Sequence, residues 1–223
     1  MGYSYGILIL ANIIIKFAGM SGLGNDLTKL LSLLDGAAVS ALIIYLTLSL
    51  RILKIPSLNR LFKKDQGNPI PAESEKLNLA QKWSNRSIKT AYIWLLISAL
   101  LDIYSRLQFL TGYEVDIGID AVRHLQLLGF ATTLVLGVGA KLIPGFIGSK
   151  GIYSGKLVAV VYWFILTAVI FRTVPLLLPY DYIEIIPHGE SIMIHMFSLS
   201  GIIGMLAIAL FGWNLHLTKQ TIR

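Results

Sequence analysis

His124 and His195 each fall a short way inside a long apolar run, and Arg172, Arg106, Asp102, Asp35 and Lys16 fall at a similar level in neighbouring runs. Arg123 directly precedes His124. Ionisable groups inside such runs are costly and tend to face one another rather than lipid. Neutral imidazole ligates haem iron, and a haem lying between helices takes its axial ligands from residues at matched depth. His124 and His195 are therefore candidate metal ligands. Arg123, Arg172 and Arg106 are candidate partners for the haem propionates, because a guanidinium engages two oxygens at once. The alternative is a polar cluster in which each imidazole bonds a nearby hydroxyl or carbonyl.

Copper is a second cofactor to weigh. Ile192-Met193-Ile194-His195-Met196 sets two thioethers beside an imidazole, with His188 just upstream, and these groups suit Cu(I). Residues 193, 195 and 196 nevertheless span most of a helical turn, so all three cannot face one point. The chain contains no cysteine. That excludes disulfides, iron–sulfur clusters, thiolate-bound or covalently attached haem, and cysteine nucleophiles, and a haem here would be of the b type. No nucleotide-binding loop, zincin motif or hydrolase elbow occurs.

Other polar residues have structural readings. Asp102 and Arg106 are four apart and can pair along one helix face, and Lys16 can pair with Asp35 across two helices. Gly129, Thr133 and Gly137 make a stripe of small residues that lets a neighbouring helix come close. Pro144 and Pro175 sit near helix ends and shape the exits.

Six apolar runs position these groups, approximately 4–20, 30–53, 88–110, 120–146, 157–178 and 191–215. A bilayer core about 30 Å thick takes roughly 20 residues of helix. Runs this long and continuous are helices rather than barrel strands. The fold class expected is all-α: a polytopic membrane bundle of about six transmembrane helices, forming one membrane domain over residues 1–223. Hydrophobic residues make up 55% of the chain and charged residues 14%, with mean hydropathy +0.71, far from the balance of a soluble domain. The first run lacks a basic leader and a cleavage site and reads as a retained helix.

The chain's net charge is +7, and its basic residues collect in one connection, about 54–87, which holds Lys54, Arg60, Lys63, Lys64, Lys82 and Arg86 among them. Topology accounts for that charge, and nucleic acid is not an expected partner. The positive-inside rule makes this segment cytoplasmic, together with both termini and the turn at 147–156, and locates the chain in the cell (inner) membrane. His124 then lies roughly 7 Å below the outer interface. After the break Asn68-Pro69-Ile70-Pro71, residues 72–84 have the composition of a surface amphipathic helix, and the basic residues suit lipid headgroups.

From Asp120 onward the chain resembles the NnrS family. Arg123-His124-Leu125-Gln126-Leu127-Leu128-Gly129, leading through small residues to Lys141 and Gly145, is similar to that family's histidine-bearing helix. Arg172 after Ala168-Val169-Ile170-Phe171 resembles its following arginine-bearing helix, and Ser200-Gly201 through Phe211-Gly212-Trp213 its last. The family comprises polytopic haem- and copper-containing membrane proteins linked to nitric oxide metabolism, distantly like the core of haem–copper oxidases. The resemblance implies haem ligation by His124. Pro144-Gly145-Phe146-Ile147-Gly148 stands where the family's second histidine is expected, so copper does not carry over.

Three functions compete. The first is a haem-binding membrane protein of this type, handling electrons or a diatomic ligand near the outer leaflet and working with a redox partner. The second is a membrane anchor subunit of a respiratory complex, with a b haem or a quinone pocket lined by Tyr104, Arg106, Asp102 and His124. The third is a cofactor-free transporter or scaffold. The first two make the chain an electron-transfer or accessory subunit rather than a stand-alone enzyme.

Overall fold

The computed structural model describes residues 72–111, 119–149 and 151–220, together with 34, 36, 39–41 and 43. Every regular element among them is helical. α1 is Ala72–Thr111; α2 runs from Ile119 to Phe146; α3 is Gly155–Leu177; α4 is the short Tyr180–Ile185; and α5 is Gly189–Gln220. Four stretches are long and apolar enough to cross a membrane: Leu79–Ser105, Asp120–Phe146, Gly155–Leu177 and Gly189–Gln220. They overlap the last four runs of the sequence, the first of them beginning earlier, at Leu79. The chain is a helical membrane protein. The first run and most of the second, with Lys16 and Asp35, lie outside the described residues. Of the second, Ser40 is buried and donates to the Ala99 carbonyl of α1 at 3.4 Å.

α1 differs from expectation. Residues 72–84 do not form a separate surface helix but continue into the third run as one helix of 40 residues. The cause is local: no glycine or proline interrupts Ala72–Thr111, so nothing offsets the gain from propagating a helix already nucleated. Part of the basic connection is therefore helix.

Lipid removes the hydrophobic drive between helices, so packing rests on close approach and van der Waals contact. α1 lies on α2 along the small-residue stripe. A Cβ on Gly137 would come 2.9 Å from the Ser87 Cβ, and one on Gly129 would come 3.0 Å from the Trp94 Cβ. α3 and α5 form the most extensive helix pair, meeting through the fully buried Ala168 and Ala207. Leu136, Val161, Ile165 and Ala207 form a core between α2, α3 and α5, flanked by Leu128, Phe164 and Phe211.

Lys82, Arg86, Lys89, Lys141, Lys156 and Lys219 gather at one end of the bundle, the basic end. Aromatic rings cluster there as they do at membrane interfaces. Trp83 and Tyr162 are 5.4 Å apart, as are Tyr162 and Trp163, and the Arg86 guanidinium lies 4.5 Å from the Trp83 ring centre. Asn214 ties the turn before α3 to α5: its Oδ1 accepts from the Ser154 N–H at 3.1 Å and its Nδ2 donates to the Ser154 carbonyl at 3.0 Å. One turn on, Thr218 Oγ1 accepts from the Tyr153 N–H at 2.9 Å. Both side chains are fully buried.

Candidate functional site

At the end opposite the basic residues, α2 begins with Ile119–His124, and its next eight residues, Leu125–Thr132, form a π-helix. Such segments are rare and favour functional sites. Two threonine hydroxyls add bonds to carbonyls of this segment. Thr132 Oγ1 donates to Leu127 O at 3.0 Å and Thr133 Oγ1 to Leu128 O at 3.2 Å. Each extra residue wound into the turn rotates what precedes it by about 100°. The π segment therefore sets where His124 points.

His124 is half-buried and its ring meets Phe197 of α5 edge-on, 6.2 Å between centres. The same Phe197 ring carries Arg172 of α3, whose guanidinium carbon lies 3.7 Å from its centre, and Arg172 Nη1 donates to the Phe197 carbonyl at 3.5 Å. Three helices thus send an imidazole, a guanidinium and a phenyl ring to one point. Arg172 is held by the bundle rather than turned to lipid. Arg123 points outward instead and pairs with Asp120 at 3.3 Å, with both side chains about two-thirds exposed at 64% and 65%. Water screens such a pair, so it adds little.

His195 lies elsewhere on α5. It is exposed, and its Nδ1 sits 2.5 Å from the Ser191 carbonyl oxygen one turn back, with Ser191 Oγ at 3.4 Å. Two residues along a helix turn through roughly 200°, so His195 and Phe197 face opposite ways. Because Phe197 is the residue that meets His124, the two imidazoles do not face each other. The backbones of α5 and the first half of α2 do not come close, and the two helices approach each other closely only in their basic halves. The pair does not fit one iron from opposite sides. The carbonyl contact at Nδ1 leaves Nε2 of His195 without a hydrogen-bond partner among the described residues.

The remaining sequence candidates are dispersed. Tyr104 is exposed and Asp102 half-buried on α1, and the side chain of Arg106 lies outside the described residues. Met193 and Met196 are half-buried while His195 between them is exposed. Among the described residues no three His, Cys, Asp or Glu side chains gather into a metal-holding group.

No known family model, curated protein or solved structure matches this chain.

Phe197, Trp94 and the π segment carry much of the site, and residue-type reasoning passed over them. The indole Nε1 of Trp94 is buried without a hydrogen-bond partner among the described residues, on the side chain that packs against Gly129. The available signal was a glycine followed by adjacent threonines in mid-span. Phe197 gave none, being one aromatic in an apolar helix.

Proposed function

We propose that the chain is an integral-membrane haem-binding protein that passes electrons to or from a partner in the same membrane, with the haem held through Nε2 of His195. The observation that carries this reading is the bond between His195 Nδ1 and the Ser191 carbonyl. In metal-ligating histidines the nitrogen away from the metal is habitually bonded to a carbonyl or carboxylate, which sets the tautomer and raises the basicity of the other. Haem supplies an iron centre that takes up one electron at a time. A b-type haem suits a chain without cysteine. Arg172 and the exposed Arg123 lie at the same end of the bundle as His195, and a guanidinium is the group that pairs a propionate. The resemblance to the NnrS family at His124, Gly129 and Arg172 points to the same class. In this reading His124 works beside Arg172 rather than as a second ligand, the basic end is cytoplasmic, and the membrane is the cell's inner membrane.

Oxidised and dithionite-reduced spectra of protein purified from haem-sufficient cells test the proposal. A b-type Soret and α band is expected. With one protein ligand, the reduced form should also bind carbon monoxide. A featureless visible spectrum would overturn the reading.

A second reading, a quinone-binding membrane anchor, rests on Trp94. A buried indole N–H without an acceptor among the described residues, within the membrane span and beside the π segment, suits the carbonyl oxygen of an apolar ligand. Thermal stabilisation by a short-chain quinone, lost in Trp94→Phe, would support it; equal stabilisation of both proteins would not.

A further inference from the structure

At the basic end, α1, the last turns of α2 and the turn leading to α3 border a half-open cavity of about 260 Å³. Its walls include Gln81, Ser84, Lys141, Pro144 and Ser149, with no carboxylate among the described residues that line it. Two of these side chains bear on what it holds. Ser84 is 1% exposed, yet its Oγ has no hydrogen-bond partner among the described residues. A hydroxyl removed from water and left unpaired costs about 1–3 kcal/mol, so such atoms call for a missing partner. Lys141 Nζ donates to Asn85 Oδ1 at 2.9 Å, which leaves two of its three protons for other acceptors. Ser149 is already engaged, since its Oγ donates to the Gly151 carbonyl at 2.7 Å. Lys82, Arg86 and Lys89 are exposed on α1 at the same end of the bundle. Exposed cations at this end attract anions, and the described lining of the pocket offers an ammonium, an amide and a hydroxyl.

We propose that this pocket binds a phosphate group, held by Lys141 with Ser84 and Gln81 as further donors. The group is either the headgroup phosphate of an anionic membrane lipid or free phosphate. The cavity has room for a phosphate together with a glycerol-sized substituent. It opens at the basic, aromatic-ringed end of the bundle, where headgroups lie. The polar layer around His124 sits at the other end, so this site is independent of the haem reading.

The test uses the full chain in nanodiscs of phosphatidylcholine alone or with phosphatidylglycerol, and separately in detergent with inorganic phosphate. Melting temperature is the readout, since a ligand that binds only the folded state raises it. A rise with phosphatidylglycerol alone identifies a lipid headgroup; a rise with inorganic phosphate as well identifies a site open to free phosphate. Lys141→Gln should weaken binding about tenfold, the loss of one charge-assisted bond. Ser84→Ala should also weaken it, although the ligand-free Ser84→Ala protein should be at least as stable as wild type, because the unpaired hydroxyl is gone. Lys219→Gln, at the same end but outside the pocket, should bind as wild type does. No stabilisation by either ligand would overturn the proposal. So would equal weakening by Lys219→Gln and Lys141→Gln, which would show diffuse surface charge rather than a site.

Discussion

The guanidinium carbon of Arg172 sits 3.7 Å from the centre of the Phe197 ring, while the His124 ring meets that phenyl edge-on. A cation over an aromatic face, shielded from water, is worth about 0.5–2 kcal/mol. This contact lets a charged side chain remain within a membrane span. Arg172→Leu should therefore cost stability in that range. If haem lies nearby, the same change should also lower its midpoint potential, because removing a positive charge disfavours the less positive, reduced iron. A potentiometric titration with wild-type haem content and an unaltered midpoint would leave Arg172 with a purely structural role.

His195→Ala should remove most bound haem, measured as pyridine haemochrome per protein. His124→Ala should retain haem with an altered midpoint, since it perturbs the Arg172–Phe197 pair rather than a ligand. The reverse pattern, loss with His124→Ala and retention with His195→Ala, would transfer the ligand role to the histidine on which the NnrS resemblance rests.

Gly137→Leu should destabilise the protein by roughly 1–3 kcal/mol, the usual range for overpacking. Its Cβ would sit 2.9 Å from the Ser87 Cβ and 3.2 Å from the backbone nitrogen of Ile88, and backbone cannot swing aside. Gly212→Ala is the control, with nothing within 4 Å of the added carbon. Equal melting temperatures for the two variants would mean that α1 and α2 are not locked along this stripe.

Asn214→Leu should cost roughly 1–3 kcal/mol for each backbone group of Ser154 left unpaired. The damage should be local to the turn before α3. Proteolysis or hydrogen exchange should show faster opening around 149–154, with the α3–α5 pair still protected.

Lys156→Cys and His188→Cys should react with an impermeant thiol reagent from opposite faces of the membrane. Both positions are exposed, at opposite ends of the bundle, and there is no native cysteine to interfere. Labelling of His188→Cys from outside intact cells, and of Lys156→Cys only after lysis, is the expected result. The opposite order would invert the positive-inside assignment.

Residue order alone determined that this chain is helical and where its last four spans lie, because apolar length is a one-dimensional property and lipid admits few alternatives. It also determined the close face of α2, since Gly129, Thr133 and Gly137 recur at helical spacing and only small residues permit that approach. It could not determine direction around the axis at the site. Matched depth suggested that His124 and His195 face each other, but facing depends on helical phase. Phase depends on the π segment of α2, and on Phe197 rather than His195 being turned inward. Nor could it show that Asn214 and Thr218 meet residues 153 and 154, about 60 positions away. A lone asparagine in an apolar helix has many prospective partners. The one it takes is the unpaired backbone that the packing of α3 on α5 brings within reach.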